Sequence, residues 1–390
     1  MVLDRLKRLV RIPSRCKSEE LIVENNKQLQ KAGDNSQQLQ MVNPIINVGI
    51  TEERVREIFS EMNAIARQSY TQDAYELAMK RVGMFEELLM SKVEQVDGML
   101  EAFRDPSFQL LLVEAQKRAA ASDRKSDLEM LTELLAHRVE KKSDRKTKAS
   151  ISKAVEIVDQ IDDDALCGLT MVYAINSWAA VAGDISQGLH TMNALFSSLC
   201  YRELPTGFDW AYHLDVLDAV RTSSIGTFKK FSEYYSAIFE GYTCVGIQRD
   251  SENYTKALDI LREAHLPSTL LVPHELNDGF VRLDVRDRDS IANIQLTSIN
   301  QGTLVSQRTL TPTEVDALNQ IWSLYTNDPK LAEQIKHAFV EKWDSYDTLS
   351  IIRSWWEALP HSFTITPIGE VLAHANAQRY SPKVPRMNNI

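Results

Sequence analysis

The sequence predicts a mainly α protein: a long N-terminal helix and a helical body, followed by a small C-terminal α/β module with a winged-helix-like end. Three observations predict it. Apolar residues recur at three-four spacing over most of the 390 residues. Period-two alternation is confined to one stretch, Leu270–Gln307. A composition 44% hydrophobic and 25% charged with only 14 Gly and 12 Pro excludes wholesale disorder, collagen and a disulfide-dense secreted scaffold. At roughly 100–200 residues per domain the chain divides into two or three folded units. The expected segments are 1–49, 50–148, 149–266 and 267–390.

Met1–Lys17 carries Val2, Leu3, Leu6, Leu9 and Val10 at helical spacing, with six cations and one acid on or beyond the other face. That pattern fits a helix lying on an anionic membrane. The plainer reading, a terminal helix docked on its own protein or a neighbouring subunit, is preferred, because most docked helices are amphipathic. Charges interrupt every apolar stretch, so it is not a signal peptide, and no run approaches the length of a membrane span. Nine of the nineteen residues from Asn25 to Asn43 are Asn or Gln.

From Thr51, an N-cap followed by Glu52 and Glu53, the helical series Val55, Ile58, Met62 and Ile65 begins. A second series, Tyr75, Met79, Val82, Leu89, Val93, Val96, Leu100 and Phe103, reads as one long helix seeking a partner in a bundle or coiled coil. Asp105-Pro106-Ser107 starts the next helix, and helices are expected near 108–121 and 125–141. Arg138–Lys148 holds six cations without interleaved aromatics, a solvated helix end or link rather than a nucleic-acid surface. Asp162, Asp163 and Asp164 open a buried apolar segment as helix-start acids, since no Ca²⁺-loop spacing follows. Further helices run to Glu240 and over 254–264. Two to four strands lie in 270–307, then a capping box at Thr311–Glu314 opens three helices. Ser362–Thr366 closes with a strand, and Pro367 starts the last helix.

Chemistry is sparse. There is no P-loop, dinucleotide fingerprint, G-x-S-x-G elbow or H-E-x-x-H, and the eight histidines are scattered. Four widely spaced cysteines exclude a zinc or disulfide framework and fit a reducing cytoplasm. A net charge of −10 disfavours nucleic acid. No cofactor or metal is called for. The best carboxylate group is Asp284, Asp287 and Asp289, alternating with Arg282, Arg286 and Arg288. On neighbouring strands such acids hold Mg²⁺ in a nuclease, one alternative function; the other is a membrane-acting effector led by the N-terminal amphipathic helix. A self-neutralising exposed strand or turn is the preferred reading. Trp355 and Trp356, adjacent on a helix, face different ways, so one is expected in the core and one in an interaction patch.

The unusual segment is Leu29–Gln40. Gly33, Asp34 and Asn35 form a turn between arms holding Leu29, Gln30, Gln38, Leu39 and Gln40, and stacked Gln and Asn side chains form ladders between chains. It resembles the amyloid-signalling motifs of bacterial and fungal immune proteins and the related motif of animal necroptosis kinases. Gln30 stands three residues before Gly33 where the animal motif has two. Gly33–Ser36, Gly49-Ile50-Thr51-Glu52 and the helix from Tyr70 to Leu89 together resemble a bacterial family found among defence islands. Phe363–Gly369 is similar to the closing strand of helical abortive-infection proteins and to the end of a winged-helix module. The resemblance implies context rather than catalytic residues: a self-assembling, non-enzymatic component of antiphage or abortive-infection defence, whose partners are further copies of itself and a phage-derived or co-encoded defence protein. A hairpin or swapped arm and a disordered tether are the other readings of residues 25–49.

Overall fold

The computed structural model describes residues 51–66, 72–140, 144–223, 225–300, 303–381 and 383–387. The expected membrane or partner helix at Val2–Val10 and the ladder segment at Leu29–Gln40 lie outside them.

Among the described residues the fold is mainly helical, with few small strands. The helices in chain order are α1 (Glu52–Ala66), α2 (Gln72–Val93), α3 (Met99–Ala102), α4 (Pro106–Ala121), α5 (Lys125–Glu140), α6 (Arg145–Ile157), α7 (Asp163–Ser177), α8 (Ile185–Leu199), α9 (Asp209–Val216), α10 (Phe231–Ile238), α11 (Glu240–Thr243), α12 (Glu252–Glu263), α13 (Pro312–Trp322), α14 (Pro329–Asp344), α15 (Asp347–Ala358) and α16 (Pro367–Tyr380). The strands are β1 (Val220–Thr222), β2 (Ile247–Gln248), β3 (Leu271–Pro273), β4 (Phe280–Leu283), β5 (Gln295–Asn300), β6 (Thr303–Thr309) and β7 (Phe363–Ile365).

The helix starts follow from side chains that answer unpaired N–H groups. Thr51 Oγ1 accepts from Arg54 N at 3.3 Å, Asp105 from Ser107 N, and Asp162 from Asp164 N and Ala165 N. Thr311 and Glu314 cap each other reciprocally at α13. Thr366 caps α16, with Pro367 at its first position.

The series from Tyr75 to Phe103 is not one helix. α2 ends at Val93, and the chain turns through Gly98, whose φ of +79° lies in the left-handed region that favours glycine. Met99 and Phe103 fold back into the core. The stripe Ala78, Val82, Phe85, Leu89 and Val93 is buried within the chain, where α2 packs on α4 and α5. It is no open coiled-coil seam.

Two apolar clusters form. The larger runs from Val55 to Tyr242 and resumes at Phe339–Met387, and the smaller occupies Ile247–Trp322. The strand-bearing module is therefore inserted into the helical body, and the last helices return to the main core. α16 packs on α5, α6 and α7, and Gly369 and Val371–Gln378 are all buried. The last helix thus presents no free face for a groove.

Three small antiparallel sheets complete the fold: β1 with β7, β4 between β2 and β3, and the β5–β6 hairpin. β1 and β2, of three and two residues, carry no alternation that the sequence could reveal. β7 pairs Val220 with Ile365 and Thr222 with Phe363, tying the chain end to the loop after α9. Trp355 and Trp356 are both buried, one against the loop at Pro205 and the other against Lys229, because α15 is covered on two sides.

Candidate functional site

An apolar groove forms where three elements meet: the end of α8, the loop 200–207 and one side of α15. Asp184 starts α8 by accepting from Gln187 N at 2.7 Å. The loop keeps its course because Trp355 Nε1 donates to Pro205 O at 2.7 Å and Trp210 Nε1 to Gly207 O at 3.2 Å. The Trp210 and Trp355 rings lie 6.1 Å apart, stacked behind the wall. Leu204, Pro205, Ile351, Trp355, Ala358 and Leu359 give an apolar lining to a volume of about 720 Å³. Ile351 stands 59% exposed on the rim, an unusual position for a large aliphatic side chain.

Three polar groups of the groove are held by partners. Ser197 Oγ and Thr348 Oγ1 share a hydrogen bond of 2.7 Å. Arg202 reaches Asp164 at 2.8 Å and Asp163 at 3.4 Å, so two of the expected helix-start acids also fix the loop. Burial pushes the Cys200 thiol up to about 11, which holds it protonated and a poor nucleophile. The arrangement can bind an apolar group; it offers no poised acid, base or nucleophile.

The acids singled out in the sequence sit elsewhere, on the inserted module. Asp287 bonds Arg286 through one oxygen and Ser290 N and Oγ, at 2.7 and 2.6 Å, through the other. Asp284 stands exposed at the end of the strand, and partial desolvation by neighbouring segments of the chain raises its carboxyl. Asp289 begins a single 3₁₀ turn, Asp289–Asn293. Among the described residues no group of three or more His, Cys, Asp or Glu side chains is placed to hold a metal ion, so the three acids do not converge. Their surroundings also differ from an exposed strand. Arg282 is fully buried and Arg286 nearly so, because the strand end docks on the helical body. Arg282 Nη2 donates to Gly183 O at 2.8 Å and Nη1 to Leu283 O at 3.0 Å, joining the two clusters. Gly241 lies at the same joint, where a Cβ would stand 2.2 Å from Val285 O.

Other reactive side chains serve the fold. Cys167 and Cys244 are pushed up to about 12 by burial. Burial pushes His274 down to about 4, and its neutral ring donates from Nε2 to Cys244 O at 2.8 Å while Nδ1 accepts from Leu276 N at 3.1 Å. His137 and His374 meet in the core at 3.2 Å. The groove itself escaped sequence reasoning because Leu204–Gly207 reads only as a turn. The available signal was Ile351, an apolar residue off the Leu349–Ile352–Trp356 stripe of its helix.

No described helix is long and apolar enough to cross a membrane. No curated protein and no solved structure matches the chain. A family model whose description reads only ":-like" matches residues 49–387, and the chain belongs to that family.

Proposed function

We propose that the protein is a self-assembling, non-enzymatic component of bacterial antiphage or abortive-infection defence. Residues ahead of Gly49 drive association, and the helical body senses or acts. The observation that carries this reading is an order along the chain: the Asn/Gln-rich segment, Asn25–Asn43, lies ahead of residue 49, where the family match begins. The self-pairing chemistry is thus attached in front of the family body rather than built into it. The internal packing of the α2 stripe supports the same assignment, since it leaves association to another segment. The groove at Leu204–Ile351 gives that body a place for an apolar group of a triggering partner.

Phage plating on bacteria that express the chain tests the proposal. The full chain lowers plating efficiency for at least one phage of a broad panel. The chain beginning at Gly49, and the triple change Gln30→Glu, Gln38→Glu, Gln40→Glu, lose that protection. Undiminished protection by both would overturn the reading.

A further inference from the structure

A second cavity, of about 280 Å³, opens where the α3–α4 turn faces α5 and α6. Its walls carry opposite charges. Glu101 and Asp105 stand on the α3–α4 side, and Arg138 and Lys148 on the α5–α6 side. Opposite charges this close on a protein surface ordinarily collapse into ion pairs. Here no ion pair within 4 Å links either carboxylate to either cation among the described residues, although Arg138 and Lys148 both act through space on the Asp105 carboxyl. Asp105 is fixed by its capping bond to Ser107 N at 2.8 Å, which is also the main cause of its lowered carboxyl. Arg138 is fixed by Nη2 donating to Ser107 Oγ at 2.9 Å. Its Nε–H is out of solvent and bonds to nothing. Phe108 and Val139, both buried, and the half-buried Ala102 supply an apolar floor between the charged walls.

We infer that this cavity binds a small zwitterion, a free α-amino acid. A carboxylate matches the planar guanidinium of Arg138, with Lys148 adding a second positive charge. An ammonium matches Glu101 and Asp105. An inorganic anion would meet two carboxylates and a simple cation would meet Arg138 and Lys148, so neither satisfies both walls. The volume lies below that of sites for drug-sized ligands and suits a single amino acid whose side chain rests on Phe108 and Val139. A ligand there bridges the α3–α4 turn and the α5–α6 pair, giving the family body a small-molecule input separate from the groove.

The test is calorimetric titration of the full chain with each of the twenty standard L-amino acids. Acetate, methylammonium and inorganic phosphate serve as probes that carry one charge type. At least one amino acid binds saturably, one per chain, and acetate and methylammonium bind about 100-fold or more weakly. Arg138→Gln and Glu101→Gln each weaken binding by about 10-fold or more. Because Arg138 also holds Ser107, Glu101→Gln is the deciding variant: Glu101 is exposed and its loss leaves the fold intact. The inference is overturned if no amino acid binds at millimolar concentration, if phosphate binds in their place, or if Glu101→Gln leaves affinity unchanged.

Discussion

Arg282 shows how one side chain can join two cores. Its guanidinium is fully buried, yet it meets backbone carbonyls from both sides of the joint, Gly183 O and Leu283 O. Arg282→Met strands those acceptors, and urea unfolding should show a loss of roughly 2–4 kcal/mol. His274 gives a pH signature at the same module. Its folded pKa of about 4 lies below the ordinary 6.5, so the unfolded chain binds the extra proton between those values. The stabilisation is complete above pH 6.5 and falls away as the pH drops toward 4, by about 3 kcal/mol at most. Stability measured across that window should slope less in His274→Gln than in the natural chain. The alternation of acids and arginines at 282–289 was legible, but its burial was not. A strand's two faces can be read from period two, whereas the covered face depends here on Gly183, 99 residues away.

At the scale of elements, the starts of helices were the most legible features, because N-caps are local. Thr51, Asp105, Asp162, Thr311 and Thr366 all bond N–H groups within three residues. What three-four spacing could not tell was whether a stripe faces its own chain or another copy. The α2 stripe faces its own chain, and a mutation pair separates the cases. Leu89→Ala should lower stability by about 2–5 kcal/mol with no change in solution mass. Leu77→Ala, at a half-exposed site on the same helix, should change stability by less than about 0.5 kcal/mol. A fall in mass with unchanged stability in Leu89→Ala would restore the seam between subunits. Neither candidate cavity was legible, since each joins residues from elements distant in sequence: Cys200 with Ile351 in one, Glu101 with Lys148 in the other.

Across the whole molecule, α16 fills the middle of the helical body and the strand-bearing module is an insertion between α11 and α14. A chain ending at Leu359 should therefore lose cooperative thermal unfolding by circular dichroism, although it keeps every strand of the module. The family match spans this body, and the proposed association chemistry lies before it. The central claim is that those first 48 residues drive assembly. Light scattering on a sizing column measures it most directly, with the full chain beside the chain beginning at Gly49. Assembly through residues 1–48 gives a large or polymeric full chain and a small, discrete truncated one. The same discrete mass for both would contradict it and return the search for the contact surface to the helical body.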